Sequence, residues 1–117
     1  EAVGDASGIT RVAHSYVPLD EALALTVVDF GGRGYAVLDL PLTDSDLGGL
    51  SGDLINHFLD TLSREGRFNL HVRILSGTSN HHSAESVFKS LARSIRQALR
   101  MDDRLGNNIP STKGTIG

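Results

Sequence analysis

Residues His81, His82 and Glu85 stand as HHxxE directly ahead of an amphipathic run, so three metal-competent side chains fall within about one helical turn. On a helix, residues three and four positions apart share a face, which puts Glu85 beside both His81 and His82. Imidazole nitrogen and carboxylate oxygen could then converge on one or two ions. The chain has no cysteine, and this nitrogen and oxygen donor set suits manganese, iron, zinc or nickel better than copper(I) or an iron–sulfur cluster. Manganese and zinc lead that group. The same triplet also suits a plain helix start, where Glu85 gains from the positive end of the helix dipole. A motif this short does not choose between the two readings by itself.

The elements that position these groups belong to one domain, because 117 residues suffice for one core and are too few for two ordinary ones. Hydrophobic residues make up 39%, charged residues 21% and aromatics 5%, a globular composition whose core must be built from Leu, Ile, Val and Ala. The formal charge of -3 argues against a general binder of nucleic acid or anionic membrane, while local basic clusters can still hold a phosphate. The lack of cysteine excludes disulfides and structural Cys-zinc sites and fits a cytosolic setting. No apolar run reaches the roughly 18 residues of a membrane-spanning helix. The opening Glu1-Ala2-Val3-Gly4-Asp5 reads as the tail of a helix entering a turn, and implies a segment upstream.

Along the chain, Ile9 to Val17 is rich in β-branched residues and roughly alternates, so it is expected as a strand closed by Pro18. Ala22 to Phe30 is a second strand, and Gly31-Gly32-Arg33-Gly34 leads tightly into a third, Tyr35 to Leu40. These three are expected as an antiparallel meander. Ser51 or Asp53 can cap a helix running to Arg64, with Leu54, Ile55, Phe58, Leu59 and Leu62 on one side and Gly66 at its end. His57 falls about 130° from the centre of that stripe at 100° per residue, so it should face solvent, a ligand or another subunit. Arg67 to Leu75 alternates most clearly, with Phe68, Leu70, Val72 and Ile74 inward and Asn69, His71 and Arg73 outward. A second helix, His81 to Met101, is expected to bury Ala84, Val87, Phe88, Leu91, Ile95 and Leu99, with Lys89, Arg93 and Arg96 on a flank that usually is just solvated. The order β-β-β-α-β-α predicts an α+β half-domain: a four-stranded sheet with both helices on one face. Residues 105–117, including Pro110-Ser111-Thr112-Lys113-Gly114, form a polar tail that is either disordered or shaped by a ligand.

DEALA at 20–24, GGRGY at 31–35, the helix bearing His57, LHVRIL at 70–75, HHSAESVFKSLARSIRQAL at 81–99 and PSTKG at 110–114 together resemble the imidazoleglycerol-phosphate dehydratases in content, order and spacing. The likeness runs over essentially the whole chain and places it as the second of the two similar halves that members of that family carry in tandem. It implies a lyase of histidine biosynthesis that dehydrates imidazole glycerol phosphate to imidazole acetol phosphate through a metal-bound imidazolate. It further implies Mn2+, two ions per active site, held by His57, His81, His82 and Glu85, with His81 and Glu85 also facing substrate. Arg11, Arg33, Ser111 and Lys113 are implied for phosphate, for which arginine forks are well suited. Thr112 and Gly114 then shape the loop of that C-terminal tail. Glu21 is the carboxylate assigned to proton transfer, though Asp20-Glu21 could equally be surface charge at a strand start.

The resemblance also implies partners: a first-half polypeptide to cover the apolar helix face that a lone half would expose, and a homo-oligomer of twenty-four subunits with metals bridging different copies. Cytoplasm is the implied location, or the plastid for a plant protein. A non-catalytic metal-binding or assembly half-module is the alternative from another class. An RNA-associated protein, by analogy with ribosomal domains of the same element order, is opposed by the acidic balance and HHxxE.

Overall fold

The computed structural model describes residues 8–42 and 51–102, and the chain forms six elements in the expected order. These are β1 (Val12–Leu19), β2 (Ala22–Asp29), β3 (Tyr35–Asp39), α1 (Gly52–Gly66), β4 (Asn69–Ser76) and α2 (Asn80–Ala98). They build one four-stranded mixed sheet with both helices on the same face, an α+β arrangement.

The strand order is β1-β2-β4-β3, which corrects the expected meander. β2 pairs antiparallel with β1 and β4, whereas β3 lies at the far edge and pairs parallel with β4. The reason is the connection through α1: two strands joined by a helix form a parallel crossover unit, and β4, the most regularly alternating strand, takes the place beside β2. The 31–34 segment therefore spans two strand spacings, about 10 Å, and is no hairpin turn.

Boundaries moved for local reasons. Arg11 has a φ of 77°, so β1 starts after it and Ile9 makes only an isolated bridge with Met101. Pro18 sits inside β1 opposite Leu23 instead of closing the strand, which an edge strand tolerates because one row of its N–H groups has no ladder partner. Ser51 Oγ accepts the Leu54 N–H at 3.2 Å and caps α1. At the other end Arg67, not Gly66, takes the left-handed conformation, at φ 56°, and the Phe68 N–H returns to the Ser63 carbonyl at 3.0 Å. Gly66 is required by closeness: a Cβ there would sit 2.9 Å from the Phe68 ring.

The core joins Ala24 and Val28 of β2, Leu70 and Val72 of β4, Ile55 and Leu59 of α1, and Val87 and Leu91 of α2. α2 also buries Ser83, Ser86, Ser90 and Ser94, small residues that let the helix lie close on β1 and β2. Ser94 Oγ meets Thr26 Oγ1 at 2.7 Å, and Ser15 Oγ donates to the Ser90 carbonyl at 2.7 Å. This serine stripe turns Phe88 and Leu99, expected in the core, to 36% and 37% exposure. Leu54 and Phe58 of α1 are likewise exposed, and Phe58 and Phe88 meet across the two helices with ring centroids 6.2 Å apart. The helix layer thus presents an apolar outer surface.

Candidate functional site

The HHxxE triplet opens α2. Ser79 caps that helix by accepting the His82 N–H on its Oγ at 3.2 Å, which fixes where His81 and His82 emerge. The two-residue turn Asp20-Glu21, which connects β1 to β2, lies against this helix start, with Asp20 in the left-handed region at φ 52°. Ser76 Oγ donates to the Glu21 carbonyl at 3.1 Å, and Glu21 Oε2 accepts the N–H groups of Thr78 and Ser79 at 2.9 and 2.7 Å. Its other oxygen, Oε1, lies 2.8 Å from His82 Nδ1.

Hydrogen bonds to the Ser79 N–H above all, then to His82 and the Thr78 N–H, hold the Glu21 carboxylate down to about 2. A carboxylate so occupied is a poor proton acceptor near neutrality, and its geometry suits holding an imidazole. His82 is raised, first by its hydrogen bond with Glu21 and further by the charges of Glu21, Asp20 and Glu85. Its Nε2 is 3.5 Å from Asp20 Oδ2.

Glu85 reaches His81 rather than His82: His81 Nε2 is 3.5 Å from Glu85 Oε1, while Lys89 Nζ is 3.1 Å from Glu85 Oε2. The imidazoles of His81 and His82 stand 6.2 Å apart at 65°. His57 is exposed on α1, facing away from the core. Among the described residues no three His, Asp or Glu side chains gather into a group that could hold a metal. Imidazole and carboxylate are donor types that a divalent cation of manganese type accepts.

The arginines sit elsewhere. Arg11 Nε bonds Asp29 Oδ1 at 2.7 Å, and a Cβ on Gly31 would come 2.7 Å from its Nη2, so the guanidinium packs over the start of the connection that carries exposed Arg33. The Arg11 N–H bonds the Ala98 carbonyl at 2.7 Å, at the C-terminal end of α2. His81 and Ala98 are 17 residues apart on that helix, about 25 Å at 1.5 Å per residue. The HHxxE triplet and the Arg11 region therefore occupy opposite ends of the sheet. Ser111, Thr112 and Lys113 lie outside the described residues.

Sequence reasoning named Glu21 but missed its partners, the Thr78 and Ser79 N–H groups, and missed Asp29 as the anchor of Arg11. The signal for Asp29 was available: it pairs with Val12 across β1 and β2, one residue from Arg11.

Comparison with known proteins decides the family. A sequence model described as imidazoleglycerol-phosphate dehydratase matches residues 1–95. This chain belongs to the imidazoleglycerol-phosphate dehydratase family. The dehydratase of Dehalococcoides mccartyi is 50% identical over 116 residues, covering 99% of this chain and 59% of that protein. That of Chloroflexus aggregans is 47% identical, covering 99% and 57%. Among solved structures, imidazoleglycerol-phosphate dehydratase from Staphylococcus aureus superposes with a TM-score of 0.82 at 29% identity, covering 86% of this chain and 59% of that one. The Pyrococcus furiosus enzyme gives 0.77 at 34% identity, covering 92% and 58%. The chain thus spans about three fifths of the length of the dehydratases it matches, and its β-β-β-α-β-α unit is that family's fold.

Proposed function

We propose that this chain acts within an imidazoleglycerol-phosphate dehydratase that removes water from imidazole glycerol phosphate to give imidazole acetol phosphate, a step of histidine biosynthesis. Membership of the family, with HHxxE at the start of α2, is the observation that carries this reading. The chain supplies the second repeat, and a first-half polypeptide completes it by covering the apolar helix surface at Leu54, Phe58 and Phe88.

In this reading His57, His81, His82 and Glu85 hold Mn2+, which when bound supplies Lewis-acid polarisation. Arg11, Arg33 and the Ser111-Thr112-Lys113 tail grip the phosphate. The separation of about 25 Å along α2 is too great for one small substrate to touch both ends of one chain. That separation supports a reading in which the active site is shared between copies, each giving metal ligands to one site and arginines to another, in the large homo-oligomer that the family resemblance implies. Asp29 fixes the Arg11 guanidinium through Nε at 2.7 Å. The working compartment is the cytoplasm, or the plastid in a plant.

The test is to assay the assembled protein, supplied with manganese and its complementary half, for formation of imidazole acetol phosphate. Turnover that disappears in His82→Ala and Arg11→Ala is the expected result. An assembled, manganese-loaded protein that leaves the substrate intact refutes the proposal.

A further inference from the structure

We infer that Glu21 is a positioning residue for His82: from the β1–β2 turn it holds the imidazole by Nδ1 and so presents Nε2 as the ligating nitrogen. This rests on the metal reading above. The ionised carboxylate only accepts hydrogen bonds, so its 2.8 Å contact with Nδ1 places the ring proton on Nδ1 and the lone pair of the neutral ring on Nε2. Glu21 is itself fixed, because Oε2 takes the Thr78 and Ser79 N–H groups while Ser76 Oγ holds its carbonyl. One side chain therefore ties three things together: the β1–β2 turn, the segment entering α2, and the imidazole. Carboxylates in this relation to a metal-binding histidine set its tautomer and raise its basicity.

The neighbouring histidine shows what the contact adds. The His81 side chain is 74% exposed and meets Glu85 only at 3.5 Å, against 34% exposure for His82. His82 is preset for a ligand and His81 adapts to it. Asp20 Oδ2, 3.5 Å from His82 Nε2, adds a second carboxylate on the side from which a cation approaches.

The test replaces Glu21 by Gln, whose single acceptor oxygen cannot serve both the imidazole and the two N–H groups. Manganese affinity of the metal-stripped protein, supplied with its complementary half, is titrated for wild type, E21Q, H82A and the double variant, with circular dichroism as the check on folding and sedimentation as the check on assembly. E21Q should weaken binding about 10- to 100-fold and add nothing in the H82A background. Wild-type affinity in E21Q, or the same loss with and without His82, overturns the role of Glu21 while leaving the metal reading standing. A wild-type protein that takes up no manganese removes the metal reading and this inference with it. Histidine-ring nitrogen resonances of the metal-free wild type give a second readout that needs no variant: an Nδ1–H tautomer at His82 agrees, and an Nε2–H tautomer overturns.

Discussion

Gly77 links β4 to α2 and sets the path by which the Thr78 and Ser79 N–H groups reach Glu21. Its φ is 149°, and a Cβ there would collide with Ser83 Oγ and lie 3.3 Å from the Ala22 Cβ. Gly77→Ala therefore carries two penalties, backbone strain of about 1–3 kcal/mol and crowding of about 1–3 kcal/mol. Rotation of the serine hydroxyl relieves part of the crowding, which leaves a net loss of about 3 kcal/mol. Gly32 is the control: its φ is also positive, at 95°, with nothing within 4 Å of the added Cβ. Gly32→Ala keeps the strain alone, partly offset by lower entropy of the unfolded chain, for a net of about 1 kcal/mol. The difference of about 2 kcal/mol corresponds to roughly 10 °C in Tm for a domain near this size. Differential scanning calorimetry of the assembled protein measures it, with manganese affinity followed in parallel. Because Gly77→Ala moves the donors that hold Glu21, it should weaken metal binding as well. Equal melting of the two variants, or a Gly77→Ala protein with unaltered affinity, would show that this segment does not shape the helix start as described.

Ser94→Ala should destabilise by about 1–3 kcal/mol, because the buried Thr26 hydroxyl and carbonyl lose a partner each; a denaturant midpoint unchanged from wild type contradicts that. The Glu21 carboxyl is held below its ordinary 4.5, down to about 2, so its contribution to stability is present above pH 4.5 and fades as pH falls toward 2. E21Q should accordingly flatten the acid limb of a stability-against-pH curve, and curves of identical shape would count against the assignment. Exhaustive metal removal should loosen the oligomer, since ligands drawn from separate chains couple binding to assembly. Unchanged sedimentation after chelation would speak against a shared site. Replacing Arg11 by Lys should raise KM for the phosphorylated substrate more than it lowers kcat, because the fork that bonds Asp29, and that the proposed function assigns to phosphate, is lost; an unchanged KM would remove Arg11 from that role.

Alternation and helical spacing carried the element order, the inward face of β4 and the outward placement of His57, whereas the apolar helix surface was expected only from the family resemblance. Strand order was not legible there. The stretch from Ala22 to Asp39 reads as a hairpin because two alternating runs flank a glycine-rich link. The rule that decides otherwise, a parallel partner for β3 across α1, concerns the whole sheet. The rotation of α2 was hidden for a related reason. Its leucines and phenylalanine form the visible stripe, yet the close contact with β1 and β2 is made by four serines, whose hydroxyls find partners such as the Thr26 hydroxyl and carbonyl and the Ser83 and Val87 carbonyls. The HHxxE triplet was readable from side-chain type, whereas its separation from the Arg11 region required the direction of α2 in space.

That direction also poses an electrostatic question. The N-terminus of a helix carries partial positive charge, an unfavourable place for a divalent cation, and the first turn of α2 contains no acidic residue. The missing negative charge comes from another element. Glu21 takes the N–H groups of Thr78 and Ser79 just ahead of the helix, where an acid in the first turn would otherwise act. Ser79 Oγ takes the His82 N–H. With Asp20 and Glu85 nearby, the field at His82 becomes negative, and the raised basicity of that imidazole records it. A field that holds a proton on His82 also favours a cation at the same ring, so under the proposed function proton and metal compete for one imidazole. Manganese affinity should therefore rise with pH as His82 deprotonates, and the rise should move to lower pH in E21Q, where the carboxylate that favours protonation is gone. A pH profile of metal affinity that is the same in wild type and E21Q would mean that the negative field arises from other groups.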